Sequence, residues 1–265
     1  MGIAKFSRDQ QLGGELVAAV HEREGTLAFG ILNLVEFSGV TDATQARAAE
    51  QLVEALLPRI YFMRFAFHEV FERENALWRG ESAQGPSGDE ELLGQFCLPA
   101  VTGRSALHAR GLFAQVVAQR ALVQAHRDRV AQALLKDLTE FRTQTTDAGF
   151  RAQIRAGMDE GAQRPRATLA LARALVLEIK SDRNAPLTDH DVIDLLHTVV
   201  PVAWCELVLL DGRWCDLVER ARQRLLTAGV TRLARVFSDR GDGVAKFLSA
   251  LRTHPKDSRP PSPWM

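Results

Sequence analysis

Residues 26–65 restrict the fold more than any other part of this chain. "TLAFGILNL" is an apolar run of strand length, and it is followed by "ATQARAAEQLVEALL", where Ala46, Ala49, Leu52, Val53, Leu56 and Leu57 keep helical spacing. Pro58 halts that helix, and "RIYFMRF" supplies a second strand-like run. Two strands separated by a helix cannot close as a hairpin. Their simplest solution is a right-handed parallel crossover, which predicts an α/β sheet flanked by helices. Residues 3–23 predict an amphipathic helix carrying Ile3, Phe6, Leu16, Val17 and Val20, interrupted by Gly13 and Gly14, with no strand before it.

A chain of 265 residues with 46% hydrophobic content can bury one large core, or a core and a subdomain. Lys+Arg and Asp+Glu both number 33, so no global field draws the chain to nucleic acid or an anionic membrane, and such attraction must come from local patches. Cys97, Cys205 and Cys215 are odd in number and lack CxxC spacing, which favours a reducing compartment, by default the cytoplasm. No apolar run approaches the roughly 20 residues that span a bilayer, and "MGIAKFSRDQ" lacks a signal peptide's apolar core, so membrane insertion is not expected.

From about 68 to 165 the pattern is mostly helical, with "RGESAQGPSGDEE" as a loop and the run from Ala106 to Phe141 as one long helix. The expected organisation is therefore an N-terminal part of an α/β domain at 1–67, a helical insertion at 68–165, the C-terminal part of the α/β domain at 166–251, and a disordered tail at 252–265. Within the third part, "RATLALARALVLEIK" predicts a helix, "ELVLL" a strand, "RWCDLVERARQRLL" a helix, "VTRLARVF" a strand and "GVAKFLSALR" a final helix.

Acidic residues gather around the apolar runs of "LTDHDVIDLLHTVVPVAWCELVLLDGRW". Val192, Leu195, Leu196, Val199 and Ala203 form one helical stripe, with His190, Asp194 and His197 on the other face. Thr188 is placed to cap this helix, and Asp189 and Asp191 fall in its first turn, where carboxylates meet free backbone N–H groups. Asp194 lies too deep to cap. Asp211 follows the strand "ELVLL", and Glu36 follows the first strand, where Asn33-x-x-Glu36 also fits a capping box. Residues just beyond the carboxyl ends of parallel strands converge on the crevice where ligands bind. Carboxylates gathered there repel one another unless a cation is present, and oxygen-only clusters suit Mg²⁺ or Mn²⁺.

The strand "TLAFGILNLVEFSG" ending in Glu36, then "DLLH" at 194–197, then "CELVLLDGRW" with Asp211, resembles the PIN-domain ribonucleases over about 25–67 and 187–251. The resemblance implies a PIN-like parallel sheet flanked by helices, with the helical middle as an insertion, and a metal-dependent endoribonuclease. Glu36, Asp194 and Asp211 would be its second, third and fourth acids, catalytic and holding Mg²⁺ or Mn²⁺. Arg213 and His197 stand as candidate RNA contacts; Arg220, Arg222 and Arg224 fit ordinary solvated charges better, and Trp204 and Trp214 fit packing better than base stacking. The family opens with a central strand bearing a first aspartate, which has no counterpart here. Asp9, within the first helical turns, does not replace it. This departure leads to the expectation that Met1 is internal to a longer chain with an upstream apolar strand of about five or six residues, or else that the site is incomplete.

Two other readings compete. His190-Asp191 matches the dyad of HD-type metal-dependent phosphohydrolases, although only as a dipeptide. Alternatively the acids are caps and turns, and the chain is a non-catalytic module that binds a protein partner through the helical middle, where Leu107, Phe113, Val116, Val117, Leu122 and Val123 are apolar.

Overall fold

The parallel crossover expected over 26–65 forms, with shorter strands than the apolar runs suggest. In the computed structural model, which describes residues 2–64, 67–81, 88–97, 107–144, 147–150, 152–153, 156, 168–181, 188–227, 230 and 232–255, β1 spans Leu27–Phe29 and β2 spans Ile60–Phe62. They pair in parallel, Ala28 opposite Tyr61. β1 stops early because Gly30 becomes the N-cap of a helix, α3 (Ile31–Phe37), and its N–H donates to Asn33 Oδ1 at 2.8 Å. Asn33 thus reaches back to the Gly30 N–H, one half of a capping box that glycine has no side chain to complete, in place of the expected Asn33–Glu36 box, and Glu36 sits in the last turn of α3 rather than at a strand end.

The predicted helix over 3–23 is two helices, α1 (Gly2–Arg8) and α2 (Gln10–Glu22). The break falls at Asp9, ahead of the glycines, because Asp9 Oδ1 accepts from the N–H groups of Gln11 and Leu12 and so caps α2. The crossover helix α4 (Ala43–Leu56) is capped by Asp42 and ends in a single 3₁₀ turn containing Pro58. Two shorter helices follow, α5 (Phe67–Trp78) and α6 (Glu90–Gln95), the latter capped by Asp89. The single long helix expected from Ala106 is instead α7 (Leu112–Ala118) and α8 (Arg120–Gln144), separated at Gln119.

In the C-terminal part, α9 (Thr168–Ser181) and α10 (Asp189–Trp204) precede β3 (Leu207–Leu210), α11 (Gly212–Thr227), β4 (Arg235–Ser238) and α12 (Gly243–Thr253). β3 and β4 pair in parallel, Leu210 opposite Ser238, which repeats the strand, helix, strand plan of the N-terminal part. The architecture is mostly helical with small parallel sheets, an α/β arrangement. One sheet joins β1 to β2 and the other β3 to β4, so the described strands make two two-stranded sheets in place of one continuous sheet. Of the tail expected to be disordered at 252–265, Arg252 and Thr253 instead complete α12, and residues 256–265 lie outside the described residues.

Two apolar cores carry the fold. The first gathers Phe6, Leu16, Phe29, Phe37, Val53, Phe62, Phe96 and Phe113, with Phe29 and Phe96 edge to face at 5.8 Å. The second packs α9, α10 and α11 around Leu171, Leu175, Val199, Trp214 and Val218. A smaller cluster of Met63, Val70 and Val200, with Ala28, Trp204 and Cys205 against it, bridges the two halves.

Candidate functional site

Asp211 and Asp239 leave the same edge of the second sheet, since each directly follows the carboxyl end of its strand and Asp239 N–H donates to Leu210 O at 2.7 Å. Asp211 caps α11: its Oδ1 accepts from the N–H groups of Arg213 at 2.8 Å and Trp214 at 3.1 Å. The anchored Trp214 is 1% exposed, and its indole Nε1 donates to Asp194 Oδ2 at 3.1 Å. One turn of backbone therefore ties the acid after β3 to the acid on α10.

The polar face expected for α10 is not turned to solvent along its length. His190 is exposed, but Asp194 faces Trp214, and His197 Nδ1 lies 3.3 Å from Glu36 Oε1 with only 13% of the histidine side chain exposed. Burial first, and the Asp211 charge second, push the Asp194 carboxyl up to about 6, partly offset by the Trp214 hydrogen bond. Burial pushes His197 down to about 3, so the ring is neutral and its Nδ1–H can donate to Glu36. Its Nε2 is then buried without a hydrogen-bond partner among the described residues.

The five residues singled out from sequence thus divide into groups. Asp194 and Asp211 come together. Glu36 and His197 pair with one another, and Glu36 is not among the charges that perturb Asp194. Arg213 is ion-paired with Asp191, which is 2% exposed and closes a capping box with Thr188, as expected for the first turn of α10. That pairing already engages the Arg213 guanidinium. Arg220 and Arg224 both bind the buried Glu178, and Arg222 pairs with Glu219 and donates to the carbonyls of Leu233 and Ala234, so these arginines brace the fold. Trp204 donates to Thr168 Oγ1, and both tryptophans pack, as expected.

Asp194 and Asp211 offer a hard cation two oxygen donors. Each has one oxygen engaged, leaving Asp194 Oδ1 and Asp211 Oδ2 without a hydrogen bond among the described residues. Glu36 stands apart with His197, and among the described residues no three His, Cys, Asp or Glu side chains gather closely enough to cage a metal. Asp239 and Arg240 are not among the sequence-based candidates. The Asp239 Oδ1 is buried without a hydrogen-bond partner among the described residues, and the Asp239 carbonyl accepts from Lys5 Nζ. The signal for both was "SDRGDG" directly after a predicted strand, at the edge that Asp211 shares. Of the apolar positions in the helical middle, Phe113 is fully buried, whereas Leu107 and Leu122 are 45% and 65% exposed. Among the described residues no helix is long and apolar enough to cross a membrane.

No family model matches the chain, and no curated protein or solved structure matches it either.

Proposed function

We propose that the chain is a PIN-like, metal-dependent endoribonuclease acting at the edge formed by Asp194 and Asp211. The observation that carries this reading is the approach of two carboxylates, far apart in sequence, at the carboxyl end of a parallel strand, each keeping one oxygen open. Such proximity disfavours the ionised pair unless a cation joins it. Asp194 and Asp211 would hold Mg²⁺ or Mn²⁺, which supplies orientation of the phosphodiester, acidification of the attacking water and neutralisation of the leaving oxygen. Trp214 fixes the Asp194 carboxyl from one side, and the first turn of α11 fixes Asp211. His197, neutral and held to Glu36, braces α10 against α3.

The test is Mn²⁺-dependent cleavage of mixed RNA by the wild-type chain and by Asp194→Asn, with melting temperature recorded in each metal. Activity and a metal-dependent rise in melting temperature are expected in the wild type, and neither in the variant. Equal cleavage by the variant would remove Asp194 from the machinery.

One observation favours the non-catalytic module. Three of the acids here also have structural duties, Asp211 as a cap, Asp191 in a capping box and Asp194 as acceptor for the Trp214 indole. A melting temperature indifferent to Mg²⁺ and Mn²⁺ would favour that reading. The HD-type alternative has less support, because His190 points to solvent while Asp191 is buried in its cap.

A further inference from the structure

We propose that Trp214 sets the metal selectivity of the edge formed by Asp194 and Asp211, so that it accepts Mg²⁺ and Mn²⁺ and discriminates against Ca²⁺. The proposal rests on the nuclease reading and deepens it. One residue holds both acids. The Trp214 backbone N–H donates to Asp211 Oδ1 at 3.1 Å, and its indole Nε1 donates to Asp194 Oδ2 at 3.1 Å. Asp211 Oδ1 also accepts from the Arg213 N–H at 2.8 Å. Each carboxylate therefore turns one oxygen toward N–H donors, and the oxygens left open are one from each acid, Asp194 Oδ1 and Asp211 Oδ2.

Neither carboxyl is free to offer both oxygens to one ion. Turning Asp194 Oδ2 toward a cation would draw it off the indole, and the indole cannot follow, because Trp214 is 1% exposed in the second core and its backbone belongs to the first turn of α11. A cation approaching Oδ2 also meets the positive hydrogen of the indole N–H. Among the described residues no third carboxylate or imidazole completes a cage, so two protein oxygens and water would make up the shell of an ion here. That donor set suits Mg²⁺, which is small, octahedral and reluctant to lose water, and is commonly held through one or two carboxylates. Mn²⁺ shares the octahedral oxygen preference. Ca²⁺ gathers about six to eight oxygens and takes a carboxylate readily through both of its own, so it loses at Asp194 the second oxygen that would favour it.

Mn²⁺ binding to the full chain is followed by the electron paramagnetic resonance of free Mn²⁺, with Mg²⁺ and Ca²⁺ as competitors, and cleavage of mixed RNA is measured alongside. In the wild type, Ca²⁺ is expected to need a concentration about tenfold above that of Mg²⁺ to displace half of the bound Mn²⁺, the scale on which partners of metal ligands act. Replacing Trp214 by benzothienylalanine, which keeps the indole's shape and puts sulfur where the N–H was, should bring the two competitors to within about twofold of each other. Trp214→Phe should do the same at a lower melting temperature. Trp204→Phe, which loses an indole hydrogen bond to Thr168 beside the same core, should discriminate as the wild type does. An unchanged ratio in the benzothienylalanine protein, even with weaker Mn²⁺ binding, would show a merely structural tryptophan and overturn the Trp214 assignment; RNA cleavage by that wild-type chain would leave the nuclease reading standing. Discrimination lost on removing the N–H, in a chain that never cleaves RNA, would support Trp214 and sink the nuclease reading. A wild-type chain that binds no Mn²⁺ would overturn both.

Discussion

Asp194 and His197 stand one helical turn apart on α10 and respond to burial in opposite senses. The Asp194 carboxyl is raised to about 6, so the folded state keeps a proton that the unfolded chain releases near pH 4, and this residue's contribution to stability falls as pH rises from about 4 to about 6. His197 is lowered to about 3, so the unfolded chain takes up a proton below about 6.5 that the fold refuses, and its contribution falls as pH drops through that range. Between about pH 4 and 6 the two slopes oppose each other. In urea unfolding across this range, Asp194→Asn should therefore lose stability more steeply on acidification than the wild type does. His197→Asn, whose amide keeps a donor near the place of Nδ1, should instead be less sensitive to acid. Parallel pH profiles for wild type and Asp194→Asn would refute the coupling. At neutral pH, Asp194→Asn should also gain about 1 kcal/mol, after allowing for solvent screening, because it removes a charge the fold disfavours.

Adjacent glycines in α2 show how packing decides what a local propensity is worth. Gly14 is exposed, and a β-carbon there meets nothing within 4 Å, whereas one on Gly13 would stand 2.7 Å from the Phe6 carbonyl of α1. Gly14→Ala should raise stability by up to about 1 kcal/mol, the helix-propensity gain. Gly13→Ala should lower it, because α1 and α2 must separate. Thermal unfolding of the two variants tests this, and shifts of the same sign would contradict it. At another helix start, the buried Glu74 of α5 accepts from the N–H groups of Thr168 and Leu169, closing the amino end of α9 across the chain. Glu74→Ala should cost about 2 kcal/mol in chemical denaturation, since it leaves the buried Thr168 donor and the part-buried Leu169 donor unmet, and Glu74→Gln should recover part of that loss. Helix identity was legible in the sequence at all these places, because 3.6-residue spacing is local. The breaks at Asp9 and Gln119 were missed because an apolar stripe continues through a break that only a cap or a turn creates.

For the molecule as a whole, the two parallel strand pairs belong to separate sheets, and the cluster of Met63, Val70 and Val200 joins the halves that carry them. Val200 is fully buried where both cores meet, so Val200→Ala should cost about 2 kcal/mol. Unlike a substitution within one core, it should also broaden the unfolding transition by loosening one half from the other. An unchanged transition width in urea would show that the halves are coupled elsewhere, for example through Glu36–His197 or Arg252–Glu15.

Local pattern determined much of this protein. The strand–helix–strand plan of each half, the Thr188 cap, the packing of both tryptophans and the placing of Asp211 after β3 all follow from periodicity and capping chemistry within a few residues. Only the tertiary structure decided which acids meet. It turned Glu36 onto α3 and against His197, buried Asp191 with Arg213, set the Trp214 indole on Asp194, and laid Arg240 over Gly212. The physical reason is that burial and charge partnership arise between segments distant in the chain, whereas spacing along the sequence says which way a side chain leaves its own element but not what it finds there.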